Sequence, residues 1–471
     1  MRKTLVGQEM ELTIDALGFE GIAVGRIDSH VHFVKGALPG ERVRARIVGK
    51  KKKHVIAETI EVLEVSPQRS VPPCEHFGVC GGCSWQHLAY EHQVLWKRQH
   101  VVDSFERLAR IPVDTIDQTL ASPTPLGYRN KMEFSFGGSA WLTRQEIDTG
   151  NEYIRDFALG LHVPGRFDKV RNIERCLLQS DMAGVVLAHT HACRSANLVP
   201  AYHQRAREGF LRHLVIRTSA ATGQVMTMLI TTTPNTDAEL KFVEQWLEVF
   251  NSLPAESTCI HAINDTWSPV AIGEIHTCMG PGYIEEVSDG IRYRISPFSF
   301  FQTNTVQLPN LVDKAMQGAG ITADSVVWDL YCGTGTLTLP AARRAKHVIG
   351  AELVESSIAD ARANADRNGI ANVEFHVVDL HHQAALEQLR TFSAPDVVIV
   401  DPPRNGMHEQ VVKHLLAVGA PRTVYVSCNP ATLARDCAIL HEAYDVRLVT
   451  PVDMFPQTYH VEAVAVLERR A

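Results

Sequence analysis

Long apolar runs are missing from this chain. Nothing in its 471 residues reaches the length of a membrane span, and the start at Met1-Arg2-Lys3 leads into no stretch of signal-peptide type. The expectation is a cytoplasmic protein with no membrane partner, in a compartment where thiols stay reduced. Its ten cysteines are then expected to be free, metal-bound or catalytic, not paired in disulfides. Internal repeats and low-complexity tracts are also missing, so solenoid and fibrous classes drop out. A surplus of positive charge is lacking too. Lys and Arg number 46 against 53 Asp and Glu, a formal net charge of −7, which speaks against nucleic acid unless the cations gather on one surface. What is present is an ordinary globular composition, 45% hydrophobic and 21% charged. The length suggests roughly three domains of about 150 residues each.

Residues 1–63 do gather cations. Short β-rich runs (Leu12 to Ile14, Ile22 to Val24, Val31 to Val34, Val43 to Ile47) alternate with turn signals at Gly18, Gly21, Gly25 and Leu38-Pro39-Gly40. That pattern predicts a small barrel of the oligonucleotide-binding kind. From Lys35 to Lys53 there are eight basic residues (Lys35, Arg42, Arg44, Arg46, Lys50, Lys51, Lys52, Lys53) against the single acid Glu41. Arg42, Arg44 and Arg46 alternate with Val43, Ala45 and Ile47, which puts three guanidiniums on one face of a strand, a surface suited to phosphates. The runs Leu17 to Arg26 and Phe33 to Glu41 resemble a TRAM domain, an RNA-binding barrel appended to RNA-modifying enzymes.

After a linker with Pro67, Pro72 and Pro73, three cysteines fall within ten residues: Cys74, Cys80 and Cys83. The two-residue gap between Cys80 and Cys83 lets both sulfurs reach one metal, and Gly81-Gly82 permits the tight turn between them. A tetrathiolate site needs a fourth ligand, for which Cys176 and Cys193 are the nearest downstream. The residues alone do not separate zinc from an iron–sulfur cluster, since both accept four thiolates. Further on, Tyr128-Arg129-Asn130-Lys131 places cations at the start of a strand, where they either contact phosphates or cap a surface edge.

The last 170 or so residues carry the chemistry. Val326 to Leu330 reads as a buried strand entering Tyr331-Cys332-Gly333-Thr334-Gly335-Thr336, a turn that lets the backbone approach a ligand closely. Further apolar strands end in Glu352, Asp379 and Asp401, and a fifth, Thr423 to Val426, ends in Ser427-Cys428. Strands alternating with helices, each with polar residues at its exit, predict a doubly wound parallel sheet with a ligand cleft along one edge. Asp401-Pro402-Pro403-Arg404 resembles the Asp/Asn-Pro-Pro signature of nucleic-acid methyltransferases. Glu462 is the only acid in the apolar strand Val461 to Leu467, the kind of placement that marks a tuned acid or base.

Together Phe300 to Asn304, Asp329 to Thr336, Asp401 to Arg404, Ser427 to Pro430 and His460 to Glu462 resemble the RNA uracil-C5-methyltransferase family, most closely its bacterial large-subunit ribosomal RNA branch. The resemblance implies an α/β fold. A Rossmann-like methyltransferase domain (286–471) would follow a TRAM-like barrel (1–63) and a central α+β domain (64–285). It implies S-adenosylmethionine held by Gln302, Tyr331, Glu352 and Asp401, and a [4Fe-4S] cluster held by Cys74, Cys80, Cys83 and Cys176. Cys428 would be the nucleophile and Glu462 the base, acting as a monomer on an unpaired or flipped uridine of ribosomal RNA. Thr336 departs from the pattern, standing where several relatives have a cofactor-contacting asparagine. Since only the thiolate adds to carbon 6 of uracil, positive charge or hydrogen bonds near Cys428 are expected to lower its pKa. A transfer-RNA target is the serious rival. An RNA cytosine-C5 methyltransferase is disfavoured because Arg404, not a cysteine, follows Asp401-Pro402-Pro403. A non-catalytic RNA-binding iron–sulfur protein is disfavoured by the intact Cys428 and Glu462.

Overall fold

The computed structural model describes residues 5–471 except 29, 52–53, 154, 381, 383–386 and 390. β1 (Glu9–Leu17), β2 (Ala23–Ile27), β3 (His30–Lys35), β4 (Arg42–Lys50) and β5 (His54–Glu64) form a closed barrel in the order β1-β2-β3-β5-β4. Alternation decides which way each side chain points. Val43, Ala45 and Ile47 turn inward, Val43 and Ala45 packing with Leu12, Ile14 and Val34, and the three arginines turn out. They are not bare. Register places acids beside each one: Arg42 pairs with Glu11 and Glu64 at 3.1 and 2.7 Å, Arg46 with Glu9 at 3.0 Å, and Arg44 with Glu61. The expected phosphate-tracking face is therefore a charge-balanced ladder. Exposed pairs of this kind contribute about 0.2–1 kcal/mol each. Lys50 and Lys51 are exposed, whereas Lys52 and Lys53 lie outside the described residues.

The helix Tyr90–Asp103 and β6 (Val113–Ile116) follow. β6 pairs in parallel with a strand of the C-terminal sheet. The expected central unit 64–285 is thus interrupted, because this segment is a layer of the catalytic sheet. A fully buried ion pair, Lys97 to Asp453 at 2.5 Å, fixes the helix there. Breaking one partner of such a pair would leave an uncompensated charge in the interior.

The central sheet has seven strands: β7 (Lys131–Gly137), β8 (Ala158–Val163), β9 (Arg166–Asn172), β10 (Leu211–Thr218), β11 (Val225–Thr231), β12 (Thr258–Ile263) and β13 (Glu274–Met279), ordered β13-β12-β11-β10-β7-β8-β9. The helices Asp181–Asn197 and Asp237–Leu247 bury one face with Phe134, Leu214, Ile216 and Trp246. The second helix starts at a capping box between Thr236 and Glu239. Met226, Met228 and Ile230 of β11 pack from the other face into the core of the C-terminal domain.

A hairpin, β14 (Ile284–Ser288) and β15 (Ile291–Ile295), leads into the doubly wound sheet. Its strands are β16 (Val326–Leu330), β17 (His347–Glu352), β18 (Val373–Val377), β19 (Val397–Val400), β20 (Arg422–Ser427), β21 (Tyr444–Val452) and β22 (Glu462–Arg469), in the order β18-β17-β16-β19-β20-β22-β21-β6. Both faces are covered, which is why β19 is an unbroken apolar run and β16 and β20 are mostly apolar. The five parallel strands expected from sequence are all present. Strand order reverses between β16 and β19, the switch point at which such sheets bind ligands. Among the described residues no helix is long and apolar enough to cross a membrane.

Candidate active site

At the carboxyl ends of β16, β17, β19 and β20 lies a cavity of about 500 Å³. Gln302, Tyr331, Glu352, Asp401, Cys428 and Glu462, the six residues singled out from sequence for this site, all line it, as does Thr336. The turn after β16 shapes one wall. Tyr331 takes φ +66°, strained for an aromatic residue, and Gly333 and Gly335 also have positive φ. The Gly333 N–H thereby donates to Glu352 Oε2 at 3.2 Å, while Leu353 and Val354 N–H donate to Oε1 at 2.8 and 3.0 Å. Three backbone donors hold that carboxylate in one orientation. Gln302 Nε2 donates to Asp401 Oδ2 at 3.2 Å. The Tyr331 hydroxyl is buried without a partner.

The cavity is crowded with acids. Burial raises Asp401 to about 7, and Glu352 adds to the rise against the opposing hydrogen bond from Gln302. Burial first, then Asp401, lifts Glu462 well above the carboxylate range. Asp329, which the sequence reading assigned no role, lines the cavity too and rises to about 7 by burial, opposed by the Thr338 hydroxyl. Its Oδ1 has no partner. The signal was available, since Asp329 is an acid inside an apolar strand, as Glu462 is. Cys428 is pushed up to about 12 by burial, then by Glu462 and Asp401, with Arg404 opposing. This overturns the expectation of a lowered pKa. One exposed guanidinium is outweighed by burial and two carboxyls, so the thiol keeps its proton in the free protein.

A second cavity, of about 570 Å³, shares Phe300 and Phe455 with the first. Arg129, Lys131 and Arg217 line it, as do Gly81 and Gly82 of the cysteine loop. The Arg129 and Lys131 cations thus face a cleft beside the acid-lined cavity. Lys131 is within 2.5 Å of Glu133. Burial of Arg217 pulls its pKa down to about 10.

Cys74, Cys80, Cys83 and Cys176 line one common cavity. Cys193, the other possible fourth ligand, lies on the helix Asp181–Asn197 and packs in the central core. Gly81 is required where it stands, since a Cβ there would lie 2.7 Å from the His162 carbonyl oxygen. The Gly82 N–H donates to Cys80 Sγ at 3.3 Å. Burial raises Cys80 to about 11 and Cys83 to about 12, and the neighbouring thiols add to both. Among the described residues no three His, Cys, Asp or Glu side chains form a group that would hold a metal ion.

Comparison with known proteins agrees with this geometry. Residues 282–470 match the tRNA (uracil-5-)-methyltransferase family, and residues 3–60 match the TRAM domain. An uncharacterised RNA methyltransferase of Bacteroides thetaiotaomicron is 40% identical over 459 residues, covering 96% of this chain and 99% of its own. One from Caldanaerobacter subterraneus is 36% identical over the full length of both. The crystal structure of Pyrococcus abyssi tRNA (uracil-54, C5)-methyltransferase with S-adenosyl-L-homocysteine superposes with a TM-score of 0.74 at 28% identity, over 97% of this chain and 100% of that one. This chain belongs to the RNA uracil-C5-methyltransferase family, whose members are S-adenosylmethionine-dependent enzymes with an RNA substrate.

Proposed function

We propose that the protein methylates carbon 5 of a uridine in large-subunit ribosomal RNA, with Cys428 as nucleophile and Glu462 as base. The observation that carries this reading is the shared cavity. A thiol, a deeply buried carboxyl and the strand-exit acids Glu352 and Asp401 all open onto one space of about 500 Å³. Gln302, Tyr331, Glu352 and Asp401 would hold S-adenosylmethionine, which supplies the methyl group and a positive sulfonium suited to an acid-lined site. Cys428 gives up its proton to water, and the thiolate adds to carbon 6 of the uracil, breaking the 5,6 double bond. Carbon 5 becomes the nucleophile that takes the methyl group, with S-adenosylhomocysteine as the leaving group. Glu462 then removes the carbon 5 proton, and the Cys428 thiolate leaves as the 5,6 double bond re-forms. A carboxylate whose proton affinity is raised by burial is a stronger base than a free one.

Cys74, Cys80, Cys83 and Cys176 would hold a [4Fe-4S] cluster. Four thiols lining one cavity that holds no carboxyl suit an electrophilic iron cluster, which would draw off their protons and pin the Gly81-Gly82 loop. The ribosomal assignment is supported by the likeness of the cysteine spacing and barrel to the large-subunit branch. A transfer-RNA uridine is the second reading. It is favoured by the Pyrococcus protein, which its name describes as acting on transfer RNA and which spans the same length, barrel included. Mass mapping of both RNA classes from a deletion strain decides between them. Loss of one 5-methyluridine from large-subunit RNA supports the ribosomal reading, and loss only from transfer RNA replaces it with the second.

A further inference from the structure

The face of the central sheet not covered by its helices extends beyond the cleft. Register aligns Lys131 with Arg217, Glu133 with Val215 and Ser135 with His213 across β7 and β10. At the Ser135 end is a third cavity, of about 430 Å³, lined by Ser135, Phe136, His162, Tyr202, Gln204, Arg212, His213 and Pro269. His162 also lines the 570 Å³ cleft. The cofactor cavity, the cleft and this pocket are therefore consecutive, joined by Phe300 and Phe455 at one junction and by His162 at the other. Lys131 and Ser135 are four residues apart on β7, about 13 Å.

Three features of the pocket match one chemical class. Tyr202 is half-buried, with the Arg212 guanidinium stacked on its ring at 4.3 Å. Arg212 is itself locked by the carbonyls of Asn264, Thr266 and Ser268. His213 is kept neutral, its pKa held near 4 by burial and by Arg212, and it hydrogen-bonds the Pro269 backbone. Its buried Nε2 has no partner. With the other ring nitrogen donating to the Pro269 carbonyl, Nε2 is a free acceptor. Gln204 and Ser135 add an amide and a hydroxyl. An aromatic face, an unsatisfied acceptor and an adaptable amide recognise a planar heterocycle with edge donors, which is how unpaired RNA bases are held. Two residues before Pro269, Trp267 is 68% exposed under the Arg207 guanidinium at 3.6 Å, a further exposed aromatic on the same loop.

We infer that this pocket is a nucleobase subsite, taking an unpaired base of the RNA substrate a short distance along the strand from the uridine at Cys428. The inference rests on the RNA-methylating reading of the cofactor cavity. The subsite would select RNAs with a second unstacked base at a fixed spacing from the target, so that substrate choice would be set far from the chemistry.

The test uses full-length protein and total RNA, ribosomal and transfer RNA alike, extracted from a strain lacking the gene. Tyr202→Ala removes the stacking face, and Gln204→Trp, at an exposed position, plugs the pocket. Each should raise KM for RNA by roughly 10-fold or more, a base–aromatic stack having that range, with kcat changing far less. Binding of S-adenosylmethionine and thermal stability, measured alongside, separate loss of the subsite from loss of the fold. Ultraviolet cross-linking should join a peptide containing Tyr202 to RNA in the wild type. If the wild type methylates RNA while both variants keep its KM and no cross-link maps to this pocket, the subsite is refuted and the proposed activity stands. If the wild type methylates no RNA, the proposed function itself has failed.

Discussion

Cys428 and three cysteines of the central cavity, Cys80, Cys83 and Cys176, share one property and differ in another. Burial holds the proton on Cys428 and on Cys80, Cys83 and Cys176 alike. Their company differs. Cys428 faces Glu462 and Asp401, with Arg404 opposing, so acids and a cation stand ready to move a proton. The quartet of Cys74, Cys80, Cys83 and Cys176 shares its cavity with Gln86, His76 and Arg175 but with no carboxyl, and the Gly82 N–H donates to Cys80. A raised thiol pKa therefore does not distinguish a nucleophile from a ligand in this protein. The groups around the sulfur do.

The comparison can be broken at its strongest point first. Cys428→Ala should abolish methylation, by roughly 10⁴-fold or more, while leaving S-adenosylmethionine binding by calorimetry close to wild type. Appreciable turnover by this variant would remove the covalent step. Next in size is the quartet. Anaerobically purified protein should be brown, and Cys80→Ala should bleach it and lower the unfolding temperature. Cys193→Ala, outside the cavity, should keep the colour. A colourless protein carrying stoichiometric zinc would overturn the iron–sulfur assignment. Glu352→Ala tests the acids on the Cys428 side: loss of its charge-assisted hydrogen bonds should weaken S-adenosylmethionine binding by about 1.5–3 kcal/mol. An unchanged calorimetric affinity would take Glu352 out of the site.

The smallest effect is in pH dependence. Asp401 titrates near 7 and the Cys428 thiol near 12 in the free protein. Both are raised above their ordinary values, as is Glu462. The nucleophile and the base therefore each hold a proton that catalysis needs removed, while Asp401 gains its charge as pH rises through about 7. kcat/KM should therefore rise from pH 6 to pH 9. A flat profile, or one that falls over this range, would mean that neither proton limits the reaction.

Much of this was legible in the sequence because it depends on local pattern. Apolar strands ending in Glu352, Asp401 and Cys428 fix where those side chains emerge, since a doubly wound sheet places every strand exit on one edge. The spacing of Cys80 and Cys83 similarly brings their sulfurs together. What stayed hidden depends on register between distant segments. Arg42, Arg44 and Arg46 were visible as one face, but their partners Glu9, Glu11, Glu61 and Glu64 come from β1 and β5. Only strand pairing shows that the face is neutralised. β6 joins the catalytic sheet across more than 300 residues of chain, a contact no local periodicity encodes. The Cys428 pKa was hidden for the same reason, because it is set first by burial and then by Glu462 of β22 and Asp401 at the exit of β19, not by its neighbours in sequence.

The central claim is that Cys428 forms the adduct and Glu462 releases it, and one measurement separates these roles. Glu462→Gln incubated with RNA and S-adenosylmethionine should accumulate an RNA–protein adduct that survives denaturing electrophoresis, because addition and methyl transfer proceed but the carbon 5 proton stays. The adduct should carry the methyl label and vanish in the double variant with Cys428→Ala. Normal turnover by Glu462→Gln with no trapped species would contradict the account, and so would an adduct that persists without Cys428.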